Sequence, residues 1–198
     1  MSDFLLTKCK FSVFDAAVMS HSQPFACGDS DLDDFFANDS ENYNRQLLGK
    51  SYCFRLLEDE KVIVCTFTLS NSSIESRHLP NSRKKKLIEN IPHEKMLSSY
   101  PATLIGRLGV NQIYLGKGIG TELMEFIKLW LLENENRTAC RFLTVDAYNK
   151  EGTLKFYEKN GFKYLFSTEQ QEKEYIGMAQ LIELKTRLMY FDLLNTKR

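Results

Sequence analysis

Ile113-Tyr114-Leu115-Gly116-Lys117-Gly118-Ile119-Gly120-Thr121 carries glycines at three alternate positions, 116, 118 and 120. An apolar run from Thr103 to Val110 precedes it, and an amphipathic segment from Thr121 to Leu132 follows. That order predicts strand, glycine-rich turn, helix. Glycine lacks a Cβ, so the chain turns tightly there and its N–H groups come close to a ligand. The first N–H groups of a helix have no internal partner, and the helix dipole adds partial positive charge. Together they form an anion site, most often for phosphate. Taken alone, the same turn also reads as a tight connection with no ligand.

Working outward, the helix after the turn sets Leu123, Phe126, Ile127, Trp130 and Leu131 on one side. Glu122, Glu125, Lys128 and Glu133 fall on the other. Upstream, residues 4 to 14 alternate loosely as a strand. Ser30 then caps a helix from Asp31 to Leu48, which Gly49 ends. Ser51 to Leu57 and Val62 to Leu69 form a hairpin about Glu58-Asp59-Glu60-Lys61. Downstream come a strand at Phe142 to Ala147 and a helix at Glu151 to Lys159, stopped by Asn160-Gly161. Strands follow at Phe162 to Phe166 and Thr186 to Leu194, and Thr168 to Lys185 shows no clear pattern. The class is α/β (α+β): a single domain over residues 1–198, with a central mixed sheet of about six to seven strands flanked by helices.

Residues 70–101 read as an irregular insertion or loop. They hold three of the four prolines and the run Arg83-Lys84-Lys85-Lys86. A connection of this length in a compact domain is usually functional. The basic run reads either as a solvated stretch or as a contact for phosphates of a ligand or an RNA.

The 198 residues are 43% hydrophobic and 12% aromatic, enough to build a core. Equal numbers of basic and acidic residues, 26 of each, argue against bulk nucleic acid as an electrostatic partner. Cys9, Cys27, Cys53, Cys65 and Cys140 are odd in number and widely spaced, without a C-x-x-C pair. They predict free thiols in a reducing compartment, with no metal spacing and no nucleophile partner. No apolar run reaches membrane-spanning length and no signal peptide is evident, so the expected location is the cytoplasm.

Two motifs sit about 35 residues apart: Gly116-Lys117-Gly118-Ile119-Gly120, and Val145-Asp146-Ala147-Tyr148-Asn149 with Lys155-Phe156-Tyr157-Glu158-Lys159-Asn160-Gly161-Phe162. In this order they resemble the GNAT superfamily of N-acetyltransferases. The resemblance implies acetyl-CoA as co-substrate, without a metal. It implies that backbone N–H groups of Leu115, Gly116, Lys117, Gly118, Ile119, Gly120 and Thr121 surround the coenzyme A pyrophosphate. The strand Leu108-Gly109-Val110 would pair with the pantetheine, as would Asn149. Tyr157 would protonate the departing thiolate. Lys117 either adds charge to the phosphates or stands in solvent. Asp146 is a candidate general base or only a turn aspartate, and Arg107 is expected to order its strand. His21, His78 and His93 are expected on the surface.

A closer likeness joins Cys27-Gly28-Asp29-Ser30-Asp31-Leu32-Asp33-Asp34-Phe35 with Arg107-Leu108-Gly109-Val110. The pair resembles the acetyltransferase toxins that modify the amine of aminoacyl-tRNA, although this chain is neutral and longer in its middle and C-terminal parts. The expected function is direct acetyl transfer to a primary amine of a small molecule or protein. The alternative is aminoacyl-tRNA, contacted through Arg83, Lys84, Lys85 and Lys86. A further alternative is a non-catalytic binding module. The resemblance also leaves room for a homodimer.

Overall fold

The computed structural model describes residues 3–89, 91–92, 97–136 and 139–197; His93 and Arg137 lie outside them. In chain order the elements are α1 (Phe4–Lys8), β1 (Cys9–Val13), α2 (Ala16–His21), α3 (Ser30–Asp34), a π-helical turn (Phe35–Asp39) and α4 (Ser40–Arg45). Then come β2 (Lys50–Leu56), β3 (Ile63–Glu75), α5 (Asn81–Ile88), β4 (Ser99–Val110) and α6 (Ile119–Trp130). The chain finishes with β5 (Phe142–Tyr148), α7 (Glu151–Lys159), β6 (Lys163–Tyr164), α8 (Glu169–Tyr175) and β7 (Thr186–Asp192). The seven strands form one sheet in the order β1-β2-β3-β4-β5-β7-β6. Two compact units are distinguishable: Met1–Asn71 with Ile105–Leu131, and Ser72–Leu104 with Leu132–Arg198.

In the first unit, β1 pairs antiparallel with β2, and β2 with β3, in the expected hairpin. Phe11, Tyr52 and Phe54 of this sheet meet two rings of α6. Phe11 lies 4.8 Å from Phe126, and Tyr52 lies 4.8 Å from Trp130, both edge-on. Phe54 meets Phe126 at the same 4.8 Å. Each such pair contributes about 0.5–1.5 kcal/mol beyond its buried area, and together they seat α6. Leu123 and Ile127 are fully buried, as the spacing predicts. Lys128, expected on the polar side, is instead buried, and desolvation pushes its ammonium down to about 8.

Three expectations change here. Residues 4 to 8 form a helix rather than the start of a strand, because Glu122 of α6 accepts the Leu5 N–H at 2.6 Å. No local pattern could reveal that distant cap. The helix expected from Asp31 to Leu48 is broken by the π turn, whose extra residue brings the adjacent rings Phe35 and Phe36 both into the core. Its cap is Asp29, not Ser30, and the left-handed residue after it is Leu47 (φ 56°), not Gly49. A Cβ on Gly49 would stand 2.6 Å from Ser70 Oγ, so that glycine answers to close packing.

In the second unit, the described residues of the 70–101 stretch include regular elements. β3 runs on to Glu75, and α5 presents Leu87, with Ile88 and Ile91 behind it, to a core of Ile74, Tyr100, Phe142, Phe166 and Tyr190. β5 pairs antiparallel with β7, setting Thr144 opposite Tyr190 and Asp146 opposite Leu188. The strand expected at Phe162 to Phe166 shortens to Lys163–Tyr164, and the patternless stretch contains α8. Glu172 of α8 is buried. It accepts from Arg187 Nε at 2.7 Å and from the Leu188 N–H, so α8 is locked onto β7. Among the described residues no helix is long and apolar enough to cross a membrane.

Burial raises the Glu172 carboxyl, with the Arg187 hydrogen bond opposing. Arg187→Leu leaves that carboxylate buried without its cation and should cost about 3 kcal/mol at neutral pH in urea unfolding. A raised folded-state value means that the native state takes up a proton before the unfolded state does. The deficit should therefore shrink as pH falls toward the ordinary carboxylate range.

Candidate active site

β4 ends in a network that fixes where the turn begins. Asn111 donates from its side chain to Ile63 O (2.9 Å) and from its backbone to Val64 O (2.9 Å), while its Oδ1 accepts the Ile113 N–H. Gly116 (φ 75°) and Gly118 (φ 84°) both hold left-handed backbone, which side chains with a Cβ rarely adopt. A Cβ at either position would meet nothing within 4 Å. These glycines serve conformation and open space rather than packing.

The N–H groups of the turn divide into two sets. Leu115 donates to Gln112 O, Lys117 to Tyr114 O, and Thr121 to Gly118 O. Among the described residues, no backbone carbonyl takes the N–H of Gly116, Gly118, Ile119 or Gly120. Donors without a backbone acceptor at a helix start fit an anion such as a pyrophosphate. The seven donors expected from the sequence thus narrow to four. Leu115 is exposed, and the Lys117 ammonium lies 5.2 Å from the Tyr114 ring centre.

The N-terminal motif meets β4 within the same unit. Cys27 N–H donates to Asp33 at 2.7 Å, and Gln112 N–H to Ala26 O at 3.0 Å. A Cβ on Gly109 would stand 3.1 Å from the Phe25 ring and 3.2 Å from Cys27 Cβ. The two motifs of the closer likeness are therefore one packed junction. Arg107 donates to Gly106 O and lies over the Phe35 ring at 4.8 Å, ordering its strand as expected.

In the second unit, Tyr157 sits on the buried side of α7, between Phe156 (5.1 Å) and Phe162 (5.3 Å). Desolvation pushes its phenol well above the usual tyrosine range, so it stays protonated at neutral pH. Asn149 has other work than the sequence suggests. Its amide donates to Glu169 Oε1 and to Leu184 O, both at 2.9 Å.

Asp146 and Thr144 share one face of β5 and line a cavity of about 70 Å³ with Ser72, Ser73 and Tyr175. Burial raises the Asp146 carboxyl. The sequence singled out Asp146 but not its companions, which become neighbours only through strand pairing; the period-two spacing of Thr144 and Asp146 is the one signal available. Arg83, grouped in sequence with the basic run, is committed elsewhere. Its guanidinium donates to Leu165 O (2.7 Å), Tyr164 O and Ser167 Oγ, which removes it as a free phosphate contact. Lys85 and Lys86 remain exposed on α5, and His21 and His78 are on the surface. The five cysteines are free, and no cluster of metal ligands occurs among the described residues.

Residues 87–164 match the acetyltransferase (GNAT) domain family. This match spans 78 of the 198 residues and lies within the seven-stranded sheet flanked by helices. No protein with a curated description matches its sequence. Among solved structures, a tyrosine-to-phenylalanine mutant of KacT is 19% identical, with a TM-score of 0.68 over 96% of this chain and 98% of that one. AtaTR bound with AcCoA is 19% identical, at 0.64 over 96% of both chains. AtaT complexed with acetyl-methionyl-tRNAfMet is 18% identical, at 0.60 over 93% of this chain and 94% of that one.

Asn149→Ala should lower stability by about 1–2 kcal/mol, the loss of two internal hydrogen bonds. Thermal melting should detect this, while affinity for acetyl-CoA changes less than threefold. A loss of affinity without a loss of stability would instead assign the side chain to the ligand.

Proposed function

We propose that this protein transfers the acetyl group of acetyl-CoA directly to a primary amine. The observation that carries this reading is the set of N–H groups at Gly116, Gly118, Ile119 and Gly120, which no backbone carbonyl takes at the start of α6 among the described residues. They hold the pyrophosphate. The backbone of Leu108, Gly109 and Val110 aligns the pantetheine as an added strand would. When bound, acetyl-CoA supplies a thioester carbonyl open to attack. Tyr157 gives its proton to the sulfur as it leaves. No protein nucleophile takes part, and the acyl group passes to the acceptor in one displacement.

A second reading names the acceptor as the amine of an aminoacyl-tRNA. Two observations favour it. The likeness to AtaT, solved with acetyl-methionyl-tRNAfMet, runs over 93% of this chain. Lys84, Lys85 and Lys86 also stand together on α5, with Lys85 and Lys86 fully exposed to a phosphate backbone.

Calorimetry with acetyl-CoA tests the donor site. Gly118→Val puts a branched side chain on left-handed backbone above the four donors, and should weaken binding more than tenfold. Tyr157→Phe should bind acetyl-CoA normally yet lose about 10²–10⁴-fold in kcat, the range for removal of a positioned proton donor. A wild-type protein that does not bind acetyl-CoA would overturn the assignment and leave a non-catalytic fold.

A further inference from the structure

The glycine turn before α6 does not hold its own shape. Gly116 and Gly118 have open space where a Cβ would stand, and glycine loses more backbone freedom on ordering than any other residue. The hydrogen bonds inside the turn are long. Leu115 N–H reaches Gln112 O at 3.2 Å, and Lys117 N–H reaches Tyr114 O at 3.4 Å. Both lie at or beyond the end of the ordinary N–H···O range. The turn therefore depends on what grips its two ends, Tyr114 before it and the first turn of α6 after it.

Within the first unit, α1 touches both ends. The Phe4 ring lies 5.8 Å from the Tyr114 ring. The Leu5 N–H donates at 2.6 Å to Oε1 of Glu122, which is 117 residues further along the chain. Glu122 Oε2 is buried without a hydrogen-bond partner, so the contact with α1 is made at the expense of water. Burial raises the carboxyl, with the Leu5 and Leu6 N–H groups opposing. α1 in turn cannot stand alone. It has five residues, and Asp3 at its N-cap makes no side-chain capping bond. So short a helix does not form in isolation. Leu5 is fully buried, and Glu122 supplies the cap that Asp3 does not.

Resting on the reading that this turn holds the coenzyme A pyrophosphate, we propose that α1 braces the donor site and that Glu122 is a positioning residue for donor binding. Phe4 steadies the upstream end, and the bond from Leu5 to Glu122 steadies the downstream end. Together they set the spacing of the N–H groups at Gly116, Gly118, Ile119 and Gly120 before the ligand arrives. A turn ordered in advance loses less entropy on binding. Glu122 acts through α1, and the effect falls on affinity for the donor.

The test is calorimetry with acetyl-CoA, beside thermal melting, on wild type, Glu122→Ala, Glu122→Gln, Phe4→Ala and Arg187→Leu. Glu122→Ala should bind acetyl-CoA about tenfold more weakly, the order of one lost charge-assisted hydrogen bond. Glu122→Gln keeps an Oε1 acceptor for the Leu5 N–H and should recover affinity to within about threefold of wild type. Phe4→Ala loosens the other end by itself and should also weaken binding, which keeps the proposal falsifiable if Glu122→Ala does not fold. Arg187→Leu, in the second unit, is the control for a general loss of stability. It should melt below wild type and bind acetyl-CoA as wild type does. The proposal is overturned if Glu122→Ala and Phe4→Ala bind as tightly as wild type, or if Glu122→Gln binds as weakly as Glu122→Ala. It is equally overturned if Arg187→Leu loses as much affinity as the α1 and Glu122 variants. A wild type that does not bind acetyl-CoA removes the functional reading itself, a result distinct from a variant that binds normally.

Discussion

Backbone of left-handed sense at Gly116 and Gly118 determines how α6 begins, and the start of α6 determines which N–H groups are free. A right-handed residue at either place would wind the turn into the helix and bury its donors against its own carbonyls. The conformation alone is not enough, because a helix end that frays presents nothing fixed. Phe126 and Trp130 supply the anchorage by packing against Phe11, Tyr52 and Phe54. Asn111 supplies it at the other side by tying the end of β4 to Ile63 and Val64. Hydrophobic packing of one helix face thus holds still a polar surface that contributes nothing to the core.

In the second unit, β5 is mostly buried apart from one carboxylate. β5 is buried at Phe142, Leu143, Thr144, Val145 and Ala147, and exposed at Asp146. On β7, Arg187 is paired with Glu172 of α8, which also accepts the Leu188 N–H. Asn149 ties the ends of β5 and of the segment before β7 together through Leu184, and reaches α8 through Glu169. A buried ion pair of this kind adds little net stability, but here it fixes α8 on β7.

The sequence carried the catalytic half of the fold well where the signal was local. Three alternating glycines, the period of α6, the stop after α7 and the polar turn of the hairpin all depend on residues within a turn or two of each other. Tyr157 was nameable because its motif is contiguous. The failures share one cause, which is a partner distant in sequence. Lys128 looks solvent-facing until the helix is packed. Arg83 looks like part of a basic run until Tyr164 and Leu165 lie beneath it. Residues 4 to 8 look extended until Glu122 caps them. Residues 70–101 look irregular because prolines and lysines hide Ile74, Leu79, Leu87 and Tyr100, whose shared core is invisible until the chain folds back on it.

Sequence alone determined the class of turn and the face that α6 presents to the core, because backbone dihedral preference and helical period are properties of neighbouring residues. Tertiary structure decided which of seven candidate N–H groups remain free, which lysines of a basic run stay exposed, and which carboxylate faces a cavity. Those are questions of competition for hydrogen-bond partners and of exclusion from water, and both are settled only when residues far apart in the chain share one space.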